Sequence, residues 1–416
     1  MNKKISLGAA IAFMAIIAAA TFAITMVFSL SSFNDRVNSL RERENMYKKL
    51  AEIDSVVRLN FYGDIDEDIL QDSIANGYVG GLADKYGKYL TAEQYAQLMQ
   101  DYDGTMVGIG IEGVKDASGY MKVTNVYSES SAEFAGIQVG DLIIKVDNTD
   151  LTAENYDQVI DGIKGEAGTK IDIVYRRDAE DTTVTVTRRS VEVPVVEGSM
   201  VGEVGYVKIK EFTNTTYDQF DRVVNKLMNE SGAKALVFDV RNNPGGTVTS
   251  VSKILDKLLP AGDIVSATYK NGKTEVLATS DSNEINLPMA VLANQNSASA
   301  SELFAQALKD YEKAKIVGVT TKGKGSMQKI YKLSDGSALD ITIAKYNPPK
   351  SSNFDGIGVK PDYEVKLTDE QEKYFEELTV ETDPQLKKAL EVVSALIASS
   401  QNNAQPDSSS VTASQP

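Results

Sequence analysis

After Lys3 and Lys4 the chain runs through residues 5–30, ISLGAAIAFMAIIAAATFAITMVFSL, without a single charge. A bilayer takes about 20 apolar residues to span, so this pattern predicts a transmembrane helix within a first segment, residues 1–33. Small residues around Ala20 and Ala23 leave cleavage open, and either outcome exports the rest of the chain. Positive charge ahead of the span favours a cytoplasmic N-terminus, although Arg36, Arg41 and Arg43 on the far side weaken that bias. The expected location is therefore the cell membrane, single-pass, with the bulk of the chain extracytoplasmic. Residues 34–103 read as helices, with recurrent apolar positions in a charged background. LTAEQYAQLMQDY opens on a capping pair, Thr91 with Gln94. An exposed stalk or a homodimer through these helices is expected.

From 104 to 189 the period changes. Short β-rich runs (GIGIEGV, YMKVTNVY, GDLIIKVDN, KIDIVYRR, TTVTVTRR) alternate with glycine turns, and one amphipathic helix carries Tyr156, Val159, Ile160 and Ile163 on one face. Residues 190–368 alternate strand and helix, the signature of an α/β core with a mixed or parallel sheet. A helical segment comes next, over 369–398, and 399–416 is a polar, proline-bearing tail expected to be disordered. The fold class is α/β and multi-domain.

Composition then removes chemistry. Net charge is −16, from 59 acidic and 43 basic residues among 416, and no basic stripe offers nucleic acid a footing. Cysteine is absent, excluding disulfides, thiol nucleophiles and thiolate metal sites. Histidine is absent too, excluding Ser-His-Asp catalysis, imidazole bases and H-E-x-x-H metal sites. No metal or cofactor is expected. A hydrolytic base must come from Lys, Asp, Glu or Tyr.

Two strand ends carry small, permissive residues. NSASASE leads a strand into a helix whose first N–H groups can meet a developing oxyanion, although at least one of its serines reads as a plain N-cap. RNNPGG ends another strand, and its glycines let a substrate approach the backbone. GVTTKGKGSMQ, residues 318–328, nearly completes a phosphate-binding loop, but Gly325 stands where Ser or Thr should hold magnesium, and a strand pattern rather than a helix comes after it. Lys324 fits a proton acceptor better. At a pKa of about 10.4 it is rarely neutral at pH 7, so burial must lower it, and Gln328 four residues on could orient it without adding charge. Ser250-Val-Ser-Lys253 has the S-x-x-K spacing of penicillin-type hydrolases, but neither S-D-N nor K-T-G accompanies it.

Residues 104–189, with GIGIE, SSAEFAGIQVGDLIIKVDN and the helix after them, resemble a PDZ domain. That likeness implies a carboxylate loop at Gly108, Ile109, Gly110 and Ile111 and a peptide groove lined by Tyr156, Val159 and Ile160. NSASASELFAQALKDY and VGVTTKGKGSMQ, with RNNPGG and a PDZ domain upstream, resemble the carboxy-terminal processing (tail-specific) proteases over roughly residues 70–365. The resemblance implies Ser299 as nucleophile, Lys324 as general base and Gln328 as its orienting partner. It places the oxyanion donors at Ala300 and at Gly245 or Gly246. Asp310 matches an acidic position of the family and is expected to support the fold. The expected partners are protein or peptide substrates with apolar C-terminal tails, and the membrane. The alternative is a membrane-tethered PDZ adaptor that binds tails without cutting them.

Overall fold

The computed structural model describes residues 7–403. The chain divides into two compact units, Met1–Ser73 and Ile74–Pro416. In the first, one helix runs without a break over Leu7–Asn60, and its window Ala12–Ser29, of mean hydropathy 2.1, is long and apolar enough to cross a membrane. Arg58 closes its end, donating to Asp54 (2.8 Å) and to both oxygens of Glu67 (2.6 and 2.9 Å).

In the second unit the β-rich region forms a six-stranded antiparallel sheet of Ile111–Lys115, Met121–Val126, Leu142–Val146, Lys170–Arg177 and Glu180–Thr187, with Thr149–Asp150 paired on the side. Alternate apolar residues, among them Val123, Ile143, Ile171 and Ile173, point inward, and helix Tyr156–Asp161 closes the core with Val159. Thr105–Gly108 leaves this sheet. It pairs with Arg189–Glu192, so the chain enters and leaves the β-domain through a two-stranded stem.

The core sheet has the order Val196–Val201, Val204–Ile209, Ala235–Asp239, Met289–Ala293, Ala314–Gly318 and Tyr363–Glu364. Only the first pair is antiparallel; the other four are parallel, giving a mixed sheet. Ala235–Asp239 and Met289–Ala293 are buried at every position, because both faces are covered, which is why ALVFD and MAVLA read as unbroken apolar runs. Leu236 and Phe238 face helices Thr216–Asn225, Val248–Leu258 and Ala300–Asp310, while Ala235 and Val237 meet Leu386, Ala389 and Val393 of helix Pro384–Asn403. That helix continues past Ser399, where the sequence predicts disorder; the rest of the tail, from 404, lies outside the described residues. A second, antiparallel sheet joins Lys88–Leu90, Ala338–Asn347, Gly262–Tyr269 and Thr274–Ser280, and Ser326–Lys332 pairs along Ala338–Asn347.

One ionic cluster clamps the C-terminal segment to the end of strand Ala235–Asp239. Arg241 is 4% exposed, forms ion pairs with Asp239 (2.6 Å) and Asp383 (2.8 Å), each itself buried, and donates to Gln385 (2.9 Å). The Phe375 ring lies 4.7 Å over the guanidinium. Removing one member of such a group strands the others without compensation, at a cost of about 3–5 kcal/mol. Arg241→Met should therefore lower the unfolding free energy of the second unit, residues 74–416, by about that amount in urea denaturation.

Candidate active site

Two neighbouring parallel strands end side by side: Ala235–Asp239 runs into the turn 241–246, and Met289–Ala293 into 294–299. Asn243, fully buried, stitches them. Its carbonyl accepts from the Ala298 N–H (3.0 Å) and the Ser301 hydroxyl (3.0 Å), and its side chain accepts from the Gly245 N–H (2.9 Å). Ser297 donates to the Val240 carbonyl (2.7 Å). Two of the three serines in NSASAS are thus committed to holding the turns together. Ser299 is not: it sits at the N-cap of Ala300–Asp310, 8% exposed, with φ +56° and ψ −113°. A serine held there carries about 1–3 kcal/mol of backbone strain, sustained by the bonds on either side of it.

Helix Ala300–Asp310 leaves the Ala300 N–H without an acceptor among the described residues. Of the two glycines, Gly245 packs on the serine: a Cβ there would lie 2.9 Å from Ser299 Cβ, and its N–H is taken by Asn243. Gly246, at φ +133°, lies against Phe212 so tightly that a Cβ would stand 2.2 Å from the Phe212 carbonyl oxygen. Its N–H has no acceptor among the described residues, and it lines the same cleft as Ser299. Phe212 in turn contacts Phe304 of the serine helix, ring centroids 5.9 Å apart.

Lys324 reaches this cleft from the loop after Ala314–Gly318, and a residue whose place in the sequence suggests only helix capping brings it there. Glu302, wholly buried, accepts from the Ser299 N–H (2.9 Å) and the Lys324 N–H (2.8 Å) on one oxygen, and from the Gly323 N–H (2.7 Å) and the Thr321 hydroxyl (2.5 Å) on the other. The only sequence sign of this role is a carboxylate three residues after the central serine, indistinguishable there from a capping box. Gly325 lets the loop lie flat, since a Cβ would come within 2.6 Å of the Asp355 nitrogen.

The cleft measures about 630 Å³ and is lined by Ser299, Lys324, Gln328, Gly246, Tyr102, Glu211, Asp340 and their neighbours. Lys324 Nζ stands 5.0 Å over the Tyr86 ring and makes no hydrogen bond to Ser299. Burial holds its pKa below the ordinary lysine value; Asp340 and Glu302 act against that shift, and Lys88 and Lys322 add to it. Gln328 faces the cleft, but its amide donates to Ser326 (2.9 Å) and Thr342 (3.1 Å) instead of to Lys324. The reason is a bulge between Met327 and Gln328, which breaks the regular alternation assumed from the four-residue spacing. Asp310 lies outside this lining and holds the backbone of Lys350 and Ser351 (2.9 Å each). Ser250 and Ser252 are buried in helix Val248–Leu258, and Lys253 stacks over Tyr217, so the S-x-x-K spacing assembles no site.

In the β-domain, Gly110 has φ +84°, and the N–H groups of Ile109 and Gly110 have no acceptor among the described residues, as a carboxylate loop requires. Ile111–Lys115 is the outer strand of its sheet. Tyr156 and Ile160 are partly buried, but Val159, at 7% exposure, packs in the core with Ile109 and Ile111 and is not free to line a groove. Gly108 belongs to the stem strand. Lys115 donates to the Ala153 carbonyl (2.5 Å) and lies 5.1 Å over the Tyr156 ring.

Residues 203–365 match the model of Peptidase family S41, and residues 122–177 match that of the PDZ domain. A "Probable CtpA-like serine protease" of Staphylococcus aureus (strain COL) is 32% identical over 352 residues, covering 83% of this chain and 71% of the relative. Its counterpart in Staphylococcus epidermidis is 30% identical over 348 residues, covering 83% and 70%. The crystal structure of a Bacteroides fragilis protein assigned to the S41 proteases shares the fold, with a TM-score of 0.50 at 18% identity over 83% of this chain and 97% of that one. At the identity and length of the staphylococcal matches, the chain belongs to the C-terminal processing proteases, serine-type peptidases of family S41 that carry a PDZ domain.

Proposed function

We propose that Ser299 and Lys324 form the catalytic pair of this peptidase, and that it works outside the cytoplasm, anchored by the apolar helix. The carrying observation is that the Ser299 hydroxyl, alone of the three, is not spent on tying the turns together, and shares its cleft with a lysine whose charge burial disfavours. Neutral Lys324 takes the Ser299 proton as the Oγ–carbonyl bond forms. The N–H groups of Ala300 and Gly246 receive the oxyanion. Lys324 then protonates the leaving amine as the peptide C–N bond breaks, and water hydrolyses the acyl-enzyme by the same route. Nζ must first turn from the Tyr86 ring toward Ser299, a tightening that substrate binding commonly brings about. Gln328, beside them, would steady Lys324 only after giving up Ser326 or Thr342. The β-domain, whose N–H groups at Ile109 and Gly110 have no acceptor among the described residues and lie beside an outer strand, is suited to hold an apolar C-terminal tail as an added strand. Exposed Leu40, Tyr47, Ile53 and Val56 on the long helix suit a homodimer.

Ser299→Ala and Lys324→Ala should each lower kcat at least about 1,000-fold on an unstructured protein with chelator present, since the two act as a unit. The active form has Lys324 neutral, so kcat/KM should rise with pH and level off below the ordinary lysine value, because folding lowers this pKa. Glu302→Gln puts an NH2 among four donors, and should cost about 10–100-fold in kcat by displacing the serine turn from the lysine loop, with the circular-dichroism spectrum retained. Amidating a substrate's C-terminus should raise KM about tenfold, a loss of about 1.4 kcal/mol, with kcat on saturating substrate less affected.

A further inference from the structure

One carboxylate of the cleft takes no part in the proposed proton transfers. Asp340 lies on strand Ala338–Asn347, in register with Ile330 on one side and Lys88 on the other. Residues in register share a face of an antiparallel pair, and the face alternates along each strand. Gln328, Ile330 and Lys332, opposite Thr342, Asp340 and Ala338, therefore project with Asp340 from one side of the hairpin, and all four line the cleft that holds Ser299. Asp340 Oδ1 is shut off from solvent and has no hydrogen-bond partner. Among the described residues no cation lies within 4.0 Å of it; Lys324 and the cross-strand Lys88 stand near enough only to moderate its charge, and Lys329 and Lys332 are over the rings of Tyr331 and Tyr95. Glu211 lines the same cleft beside the glycine turn, where Phe212 bonds Gly245 and Thr247, and its carboxylate is also unpaired among the described residues. Burial pushes both carboxyls above their ordinary values, and both act on the Tyr102 hydroxyl.

A half-buried carboxylate with an unused oxygen is costly, and a ligand that brings a cation with N–H donors relieves the cost. We propose that Asp340, assisted by Glu211, selects substrates with a Lys or Arg side chain next to the scissile bond, the cation docking on Asp340. This rests on reading the cleft as the peptidase site. It also links binding to chemistry: a cation on Asp340 cancels the charge that favours protonated Lys324, so the correct substrate releases its own base.

The test uses the full-length Ser299→Ala protein in detergent micelles, with acetylated and amidated peptides that offer no carboxylate to the β-domain. A single lysine is moved through an otherwise neutral octapeptide, against a norleucine series, and binding is read by fluorescence anisotropy. At one position lysine should bind about tenfold tighter than norleucine, weakening with salt. Asp340→Asn should abolish that preference and Asp340→Glu should restore it, with unfolding midpoints showing that each variant is folded. Equal affinities throughout, or a lysine preference that survives Asp340→Asn, would overturn the proposal. So would an Asp340→Asn protein with Ser299 intact whose pH profile moves while its selectivity in kcat/KM does not, since Asp340 would then act only on Lys324. The binding arm needs no turnover, so failure of the catalytic assignment would be seen separately, as a Ser299-intact protein that binds lysine peptides and cuts none.

Discussion

A single buried carboxylate holds the Ser299 turn and the Lys324 loop in relation to one another. Glu302 accepts four hydrogen bonds, two from the lysine loop through Lys324 and Gly323, one from Thr321, and one from the nitrogen of Ser299 itself. Because one oxygen serves both the serine and the lysine backbone, neither turn can shift without breaking a charge-assisted bond in a water-poor interior, where such bonds are strongest. The strained serine backbone depends on this. So does the helix behind it, whose first turn is occupied by the same carboxylate.

The second turn is tied in by neutral groups. Asn243 joins the glycine turn to the serine turn, Phe212 grips Gly245 and Thr247 through its backbone, and its ring meets Phe304 of the serine helix. On the far side of the sheet the Arg241 cluster anchors the C-terminal segment to the same strand end. A segment remote from the cleft in sequence is therefore tied to the end of this strand by one buried ion pair, Arg241–Asp383, and the Gln385 hydrogen bond.

Electrostatics in the cleft derive from the absence of histidine. Lysine must be desolvated to serve as a base, and Tyr86, Tyr102 and Tyr346 provide apolar surface around it while each keeps a polar end. Asp340 pulls the other way. Burial and Asp340 thus act on the Lys324 charge in opposite directions, and whatever pairs with Asp340 weakens the second of them.

Periodicity was enough to read the architecture: the uncharged run became an unbroken helix, the apolar runs became strands covered on both faces, and alternation of strand and helix became a mixed sheet with its glycine and serine turns at parallel strand ends. RNNPGG, NSASAS and GKG announced small residues, a hydroxyl and a lysine in permissive backbone, because those needs are local. Features that depended on register and packing were not legible. A bulge turned the Gln328 amide to Ser326 and Thr342; Val159, indistinguishable by spacing from Tyr156 and Ile160, went to the core; and the polar tail began as helix because Leu386, Ala389 and Val393 dock the preceding turns on the sheet. Between two equivalent glycines, only the fold left the N–H of Gly246 without an acceptor among the described residues, since Asn243 had taken that of Gly245. The sequence by itself determined which chemistry was available, through its missing histidine and cysteine and its local motifs. Only the tertiary structure decided that Glu302 would join serine to lysine and that Asp340 would face them, because contacts between residues far apart in the chain are set by how the strands register and not by any local pattern.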